Sequence, residues 1–101
     1  MLIRVTREHT LRLEAPEDLK RFKLLVEGDI AGEALARALG EAGRLEGGHA
    51  WVSPDWLRRA SGLAADPEWQ AGFARMVGFA AKQGWVNEAG AIRAHIERDP
   101  A

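Results

Sequence analysis

The chain has 101 residues and a mass of 11.1 kDa, so one domain over 1–101 is expected and a two-domain enzyme is excluded, since single cores usually run from about 50 to 200 residues. Of its 47 apolar residues 18 are alanine, which leaves 29 large apolar side chains beside 11 glycines and makes the core thin in volume. Fourteen basic against fifteen acidic residues give a net charge of −1, which excludes a whole-molecule field drawing the chain to nucleic acid or an anionic membrane. The absence of cysteine removes disulfides, thiol nucleophiles and cysteine zinc sites, and the fold must stand on packing. Met1 to Val5 alternate instead of forming a signal-peptide run, and nowhere do about eighteen uncharged apolar residues follow one another. A soluble, cytoplasmic protein with no membrane partner is the expectation.

In chain order, Ile3–Thr6 and Thr10–Glu14 alternate with period two and are expected to pair as strands across Arg7-Glu8-His9. Pro16-Glu17-Asp18-Leu19 reads as a helix start, because proline at the first helical position loses only an orphan N–H and acids there meet the positive end of the dipole. A helix over 17–27 is therefore expected, with Leu19, Phe22 and Val26 on one face and Gly28 as its stop. A second helix over 30–45, capped by Asp29, would place Ile30, Ala34, Leu35, Ala38, Leu39 and Ala42 together. His49–Val52 is a candidate short strand, followed by a short helix over 54–61 with Ser53 as cap. A longer helix over 67–83 has Asp66 as cap and the core stripe Trp69, Phe73, Met76, Val77 and Ala80. After Gly84, Trp85-Val86, the turn Asn87–Gly90 and the alternating Ala91–Glu97 read as a C-terminal hairpin.

From residue 30 to about 97, the order is helix, short strand, short helix, Ala60-Ser61-Gly62-Leu63 turn, longer helix and hairpin. That order resembles a winged helix-turn-helix domain, with residues 1–28 as an N-terminal ββα extension. The fold class is α+β: a winged-helix-like three-helix core with a C-terminal β-hairpin, plus an N-terminal strand pair and helix. What the resemblance implies is duplex binding through the longer helix, with Arg58, Arg75, Lys82 and Arg93 as the cations available. The face opposite the core stripe, however, holds Ala71, Ala74, Arg75, Gly78 and Lys82, and alanine and glycine read neither phosphates nor base edges. Gly72 and Gly78 inside a helix each cost up to about 1 kcal/mol relative to alanine, which invites a close packing partner. Either another chain, with Phe79 at the edge of the contact, or residues 1–28 of the same chain would supply it.

The residues that could carry chemistry are few. His9, His49 and His95 have no metal-ligand spacing, Ser53 is a cap, no serine lies in a nucleophile elbow, and the glycine-rich stretch 40–48 lacks a Walker lysine. No catalytic residue, cofactor or metal is expected. All four tryptophans, with Phe73 and Phe79, fall between residues 51 and 85 and point to the core, with Trp56 the one expected at the rim as a partner-binding anchor. Composition and patterning thus favour a non-catalytic protein-interaction module, working with a protein partner or as a homodimer through Trp56, Ala71, Ala74, Gly78 and Phe79. A DNA-binding regulator is the alternative, and an accessory small-molecule-binding or enzyme-associated subunit a third.

Overall fold

A computed structural model describes residues 1–99. Its first strands, β1 (Leu2–Val5) and β2 (Leu11–Glu14), pair antiparallel from Leu2 opposite Glu14 to Val5 opposite Leu11, as the alternation led us to expect. The helix expected over 17–27 does not form. Residues 23–27 are instead strand β3 (Lys23–Glu27), parallel to β1. In Lys23-Leu24-Leu25-Val26-Glu27 the apolar residues satisfy either period, and a short apolar run is ambiguous on that ground. Tertiary pairing decides it, because β3 lies between β1 and β6 (Ile92–Asp99) and bonds to both along its length. The proline-acid stretch 15–22 becomes the connection that wraps beneath β1, held where the backbone nitrogen of Met1 donates to the carbonyls of Asp18 (2.5 Å) and Arg21 (2.9 Å).

The second helix is shorter than expected. α1 spans Gly32–Leu39 and gives way to a 3-10 turn at Gly40–Ala42 and then to β4 (Gly43–Glu46). Its N-cap is Ala31 and no side chain caps it. Asp29 follows Gly28, whose φ of +70° turns the chain out of β3 and whose N–H donates to the Asp99 carbonyl at 2.8 Å. β5 (His49–Val52) pairs with β4 closely enough that a Cβ built on Gly43 would lie 2.7 Å from the Trp51 carbonyl oxygen, so only glycine fits that strand position.

The two remaining helices follow their local signals. α2 (Pro54–Ser61) begins at Ser53, whose hydroxyl accepts from the Trp56 N–H, and stops at Gly62 in the left-handed conformation. α3 (Pro67–Lys82) begins at Asp66, whose carboxylate accepts from the N–H groups of Glu68 and Trp69. The C-terminal hairpin reduces to a single bridge, Val86 opposite Ile92, because β6 is drawn into the sheet interior between β3 and β5.

The result is an α+β domain with three α-helices and a curled six-stranded sheet in the order β2-β1-β3-β6-β5-β4. One sheet face carries Ile3, Val5, Leu24, Val26, Ala50, Val52, Ile92 and Ala94, all buried with Leu35 and Leu39 of α1, Leu57 of α2 and Trp69, Phe73 and Ala80 of α3. The small side chains of Ala50 and Ala94, paired across β5 and β6, let the large α3 aromatics share a thin core. The other face is charged: Arg4 bridges Glu14 and Glu27, and Lys23 pairs with Glu97. No helix among the described residues is long and apolar enough to cross a membrane.

Candidate functional site

The sheet forks at the start of β6. Below Lys23 the connection 19–22 departs from the sheet, and its place beside β6 is taken by Trp85-Val86, where the Arg93 N–H donates to the Trp85 carbonyl at 2.8 Å. Trp85 is brought there by the end of α3, since its N–H bonds back to the Ala80 carbonyl at 2.9 Å and Gly84 turns the chain at φ +79°. Between the diverging walls lies a cleft of about 640 Å³, within the range of roughly 300–1,000 Å³ typical of small-molecule sites.

Its floor and walls are apolar: Leu19 and Phe22 from the connection, Met76 and Ala80 from α3, and Ile92 from β6. The lip is aromatic. Phe79 is 59% exposed, the one large apolar side chain left in solvent among the described residues, and it meets Trp85 edge to face at 6.1 Å. Leu19 is held in the wall by Gly72, where a Cβ would stand 2.6 Å from its Cδ1 atom. That wall is anchored one turn earlier as well, because the Trp69 indole N–H donates to the Pro16 carbonyl at 2.8 Å while its ring stacks on Phe73 at 4.9 Å.

The rim is cationic. Lys20, Arg21 and Arg93 line it, together with His49 and His95, which stand directly opposite each other across β5 and β6. None of the fifteen acidic residues of the chain is among the lining side chains. The acid two residues beyond His95 on the same strand face, Glu97, is occupied: the Lys23 ammonium donates to it at 2.8 Å and holds its carboxyl below the usual range. Arg93 lays its guanidinium over the Trp85 ring at 6.0 Å, a cation–π contact that sets its direction at the lip.

No family model, curated protein or solved structure matches this chain.

A second cleft, of about 630 Å³ around the start of α2 and β4, carries charges of both signs: Arg58 pairs with Asp55 at 2.9 Å, Glu41 is reached by nearby Arg59 at 3.7 Å, and Arg44 lines it without an ion pair among the described residues. The residues singled out from sequence are thereby divided. Arg58 is committed to Asp55 and to the Phe73 ring at 5.1 Å, Arg93 belongs to the first cleft, and Arg75 and Lys82 are exposed on α3. Trp56 is half-buried and packs against the core. Ala71, Ala74 and Gly78 are exposed, and beyond its own stretch of helix no atom lies within 4 Å of a Cβ built on Gly78; the N-terminal segment meets α3 at Trp69 and at Gly72.

Of the cleft, only Phe79 and Arg93 were singled out from sequence. The run Lys20-Arg21-Phe22-Lys23, basic residues interleaved with an aromatic, was a usable signal that reading as a helix face obscured. His49 and His95 have no metal-ligand spacing in the sequence, and nothing short of the β5–β6 register places one against the other.

Proposed function

We propose that this chain is a non-catalytic binding module whose recognition site is the cleft between residues 19–22, the end of α3 and the start of β6. The observation that carries the reading is Phe79: a large aromatic side chain stands in solvent at the mouth of an apolar cleft of about 640 Å³ in a chain short of apolar volume. A binding role is favoured over a catalytic one because the two imidazoles share the lining with no carboxylate, hydroxyl or thiol to orient them or to act as nucleophile. The test is titration with the neutral apolar fluorophore phenylnaphthylamine. Saturable, one-to-one fluorescence gain is expected, and Phe79→Ser should weaken it. Covering the exposed remainder of a phenylalanine is worth about 1–2 kcal/mol, or roughly five- to thirtyfold in affinity. Absence of binding, or binding that Phe79→Ser leaves unchanged, refutes the reading.

The exposed line of Ala71, Ala74 and Gly78 supports a second reading, self-association through α3, because small residues let another helix approach closely and Gly78 has open space in front of it. Sedimentation equilibrium at high micromolar concentration tests it. A dimer that Ala74→Glu converts to monomer favours this reading, and a wild-type monomer removes it.

A further inference from the structure

Resting on the cleft reading above, we infer that the cleft takes a small amphipathic anion: an aromatic or aliphatic body seated on the apolar floor, with one carboxylate, sulfonate or phosphate at the rim. Charge complementarity carries the step. The chain as a whole is nearly neutral, at −1, yet this cleft gathers Lys20, Arg21 and Arg93 and no acid. Among the described residues none of these three cations makes an ion pair. On the sheet face Arg4 holds two carboxylates and Lys23 holds one, while Arg12 and Arg44 hold none among the described residues; what sets Lys20, Arg21 and Arg93 apart is that all three line one cleft into which no acid enters.

The buried part of the lining, Ala80 and Ile92, is apolar, and Lys20, Arg21 and His95 lie in its exposed part. Phe22, Met76 and Ile92 offer no hydrogen-bonding group, so the buried end of a ligand has to be apolar. The rim offers ammonium and guanidinium donors and two imidazoles, so the outer end has to carry acceptors. Arg93, stacked on Trp85, presents a planar fork suited to a two-oxygen anion. A metal cation is opposed by the same three charges, and a neutral apolar molecule would make no use of them.

The experiment compares two fluorophores of nearly the same aromatic body, anionic anilinonaphthalene sulfonate and neutral phenylnaphthylamine, on the full chain. In dilute buffer the anion is expected to bind at least about tenfold tighter, and that ratio should shrink several-fold in about 0.5 M salt as the rim charges are screened. The triple variant K20Q/R21Q/R93Q should abolish the preference, so that the two probes bind with equal affinity, with an unchanged thermal midpoint as the check on folding. Equal affinity for the two probes in the wild type, or a preference that survives in K20Q/R21Q/R93Q, overturns the anion assignment and leaves the cleft standing. Failure of both probes to bind overturns the cleft reading and the anion with it.

Discussion

Two glycines six residues apart in α3 should respond differently to the same substitution. An interior helical glycine costs about 0.8–1.0 kcal/mol relative to alanine. At Gly78 no atom beyond its own stretch of helix lies within 4 Å of an added Cβ, so Gly78→Ala should keep the whole gain of about 1 kcal/mol, a rise of about 4–8 °C in thermal midpoint for a domain of this size. At Gly72 the added Cβ would meet Leu19 Cδ1 at 2.6 Å. The Leu19 side chain has to swing away and loses part of its burial, at a cost of about 1 kcal/mol where full burial is worth about 1.5–3. The two terms cancel, and Gly72→Ala is expected to lie within about 0.5 kcal/mol of wild type. Urea unfolding followed by circular dichroism gives both values, and a double-mutant cycle isolates the contact: in a Leu19→Ala background, Gly72→Ala should recover the stabilisation of about 1 kcal/mol. Because Leu19 lines the cleft, Gly72→Ala should also alter probe affinity while Gly78→Ala leaves it alone. Equal stabilisation by both substitutions, with no coupling to Leu19→Ala, would refute the packing argument that places the 15–22 segment against α3.

Other substitutions test separate parts of the account. Trp69→Phe keeps a ring against Phe73 but removes the indole donor to the Pro16 carbonyl, and a loss of about 1–2 kcal/mol in denaturant unfolding is expected; no loss would mean that bond does not hold the connection. Gly43→Ala drives a Cβ to 2.7 Å from the Trp51 carbonyl oxygen, a backbone atom that cannot swing aside, so it should cost at least about 1–3 kcal/mol, and a neutral result would contradict the tight β4–β5 pairing. For Glu97, whose folded carboxyl lies below its ordinary value of 4.5 because Lys23 donates to it, the stabilising contribution is complete above that ordinary value and is lost as pH falls through the lowered one. Glu97→Gln should therefore reduce the difference in thermal midpoint between about pH 7 and pH 3, by a small amount since the pair is solvent-exposed; an unchanged difference would show the pair to be idle.

What could be read from the sequence divides along a physical line. Ser53 and Asp66 cap α2 and α3 as expected because capping is local: an oxygen, a proline and one or two N–H groups within four residues settle it. Strand β3 could not be read that way. Leu24 and Val26 serve a helix or a strand equally, and the choice is made by β1 on one side and β6, some seventy residues on, along the other. The same distance hides most of the cleft, whose walls come from residues 19–22, from His49, from Met76, Phe79 and Ala80, and from Trp85 and the start of β6, and exist only once β6 has entered the sheet. Phe79 was legible as an outlying aromatic on the edge of an alanine-rich face. Its partner across the cleft mouth, Trp85, looked like one more core tryptophan until the turn at Gly84 carried it beside β6.

The central claim is that binding occurs at the fork of the sheet. A titration of nitrogen-labelled protein with anilinonaphthalene sulfonate, followed through backbone amide and indole N–H shifts, tests it most directly. The account predicts saturable changes concentrated at Arg21, Phe22, Phe79, the Trp85 indole and Arg93. Changes centred instead on Ala71 and Ala74, or on Arg58 in the second cleft, would contradict it.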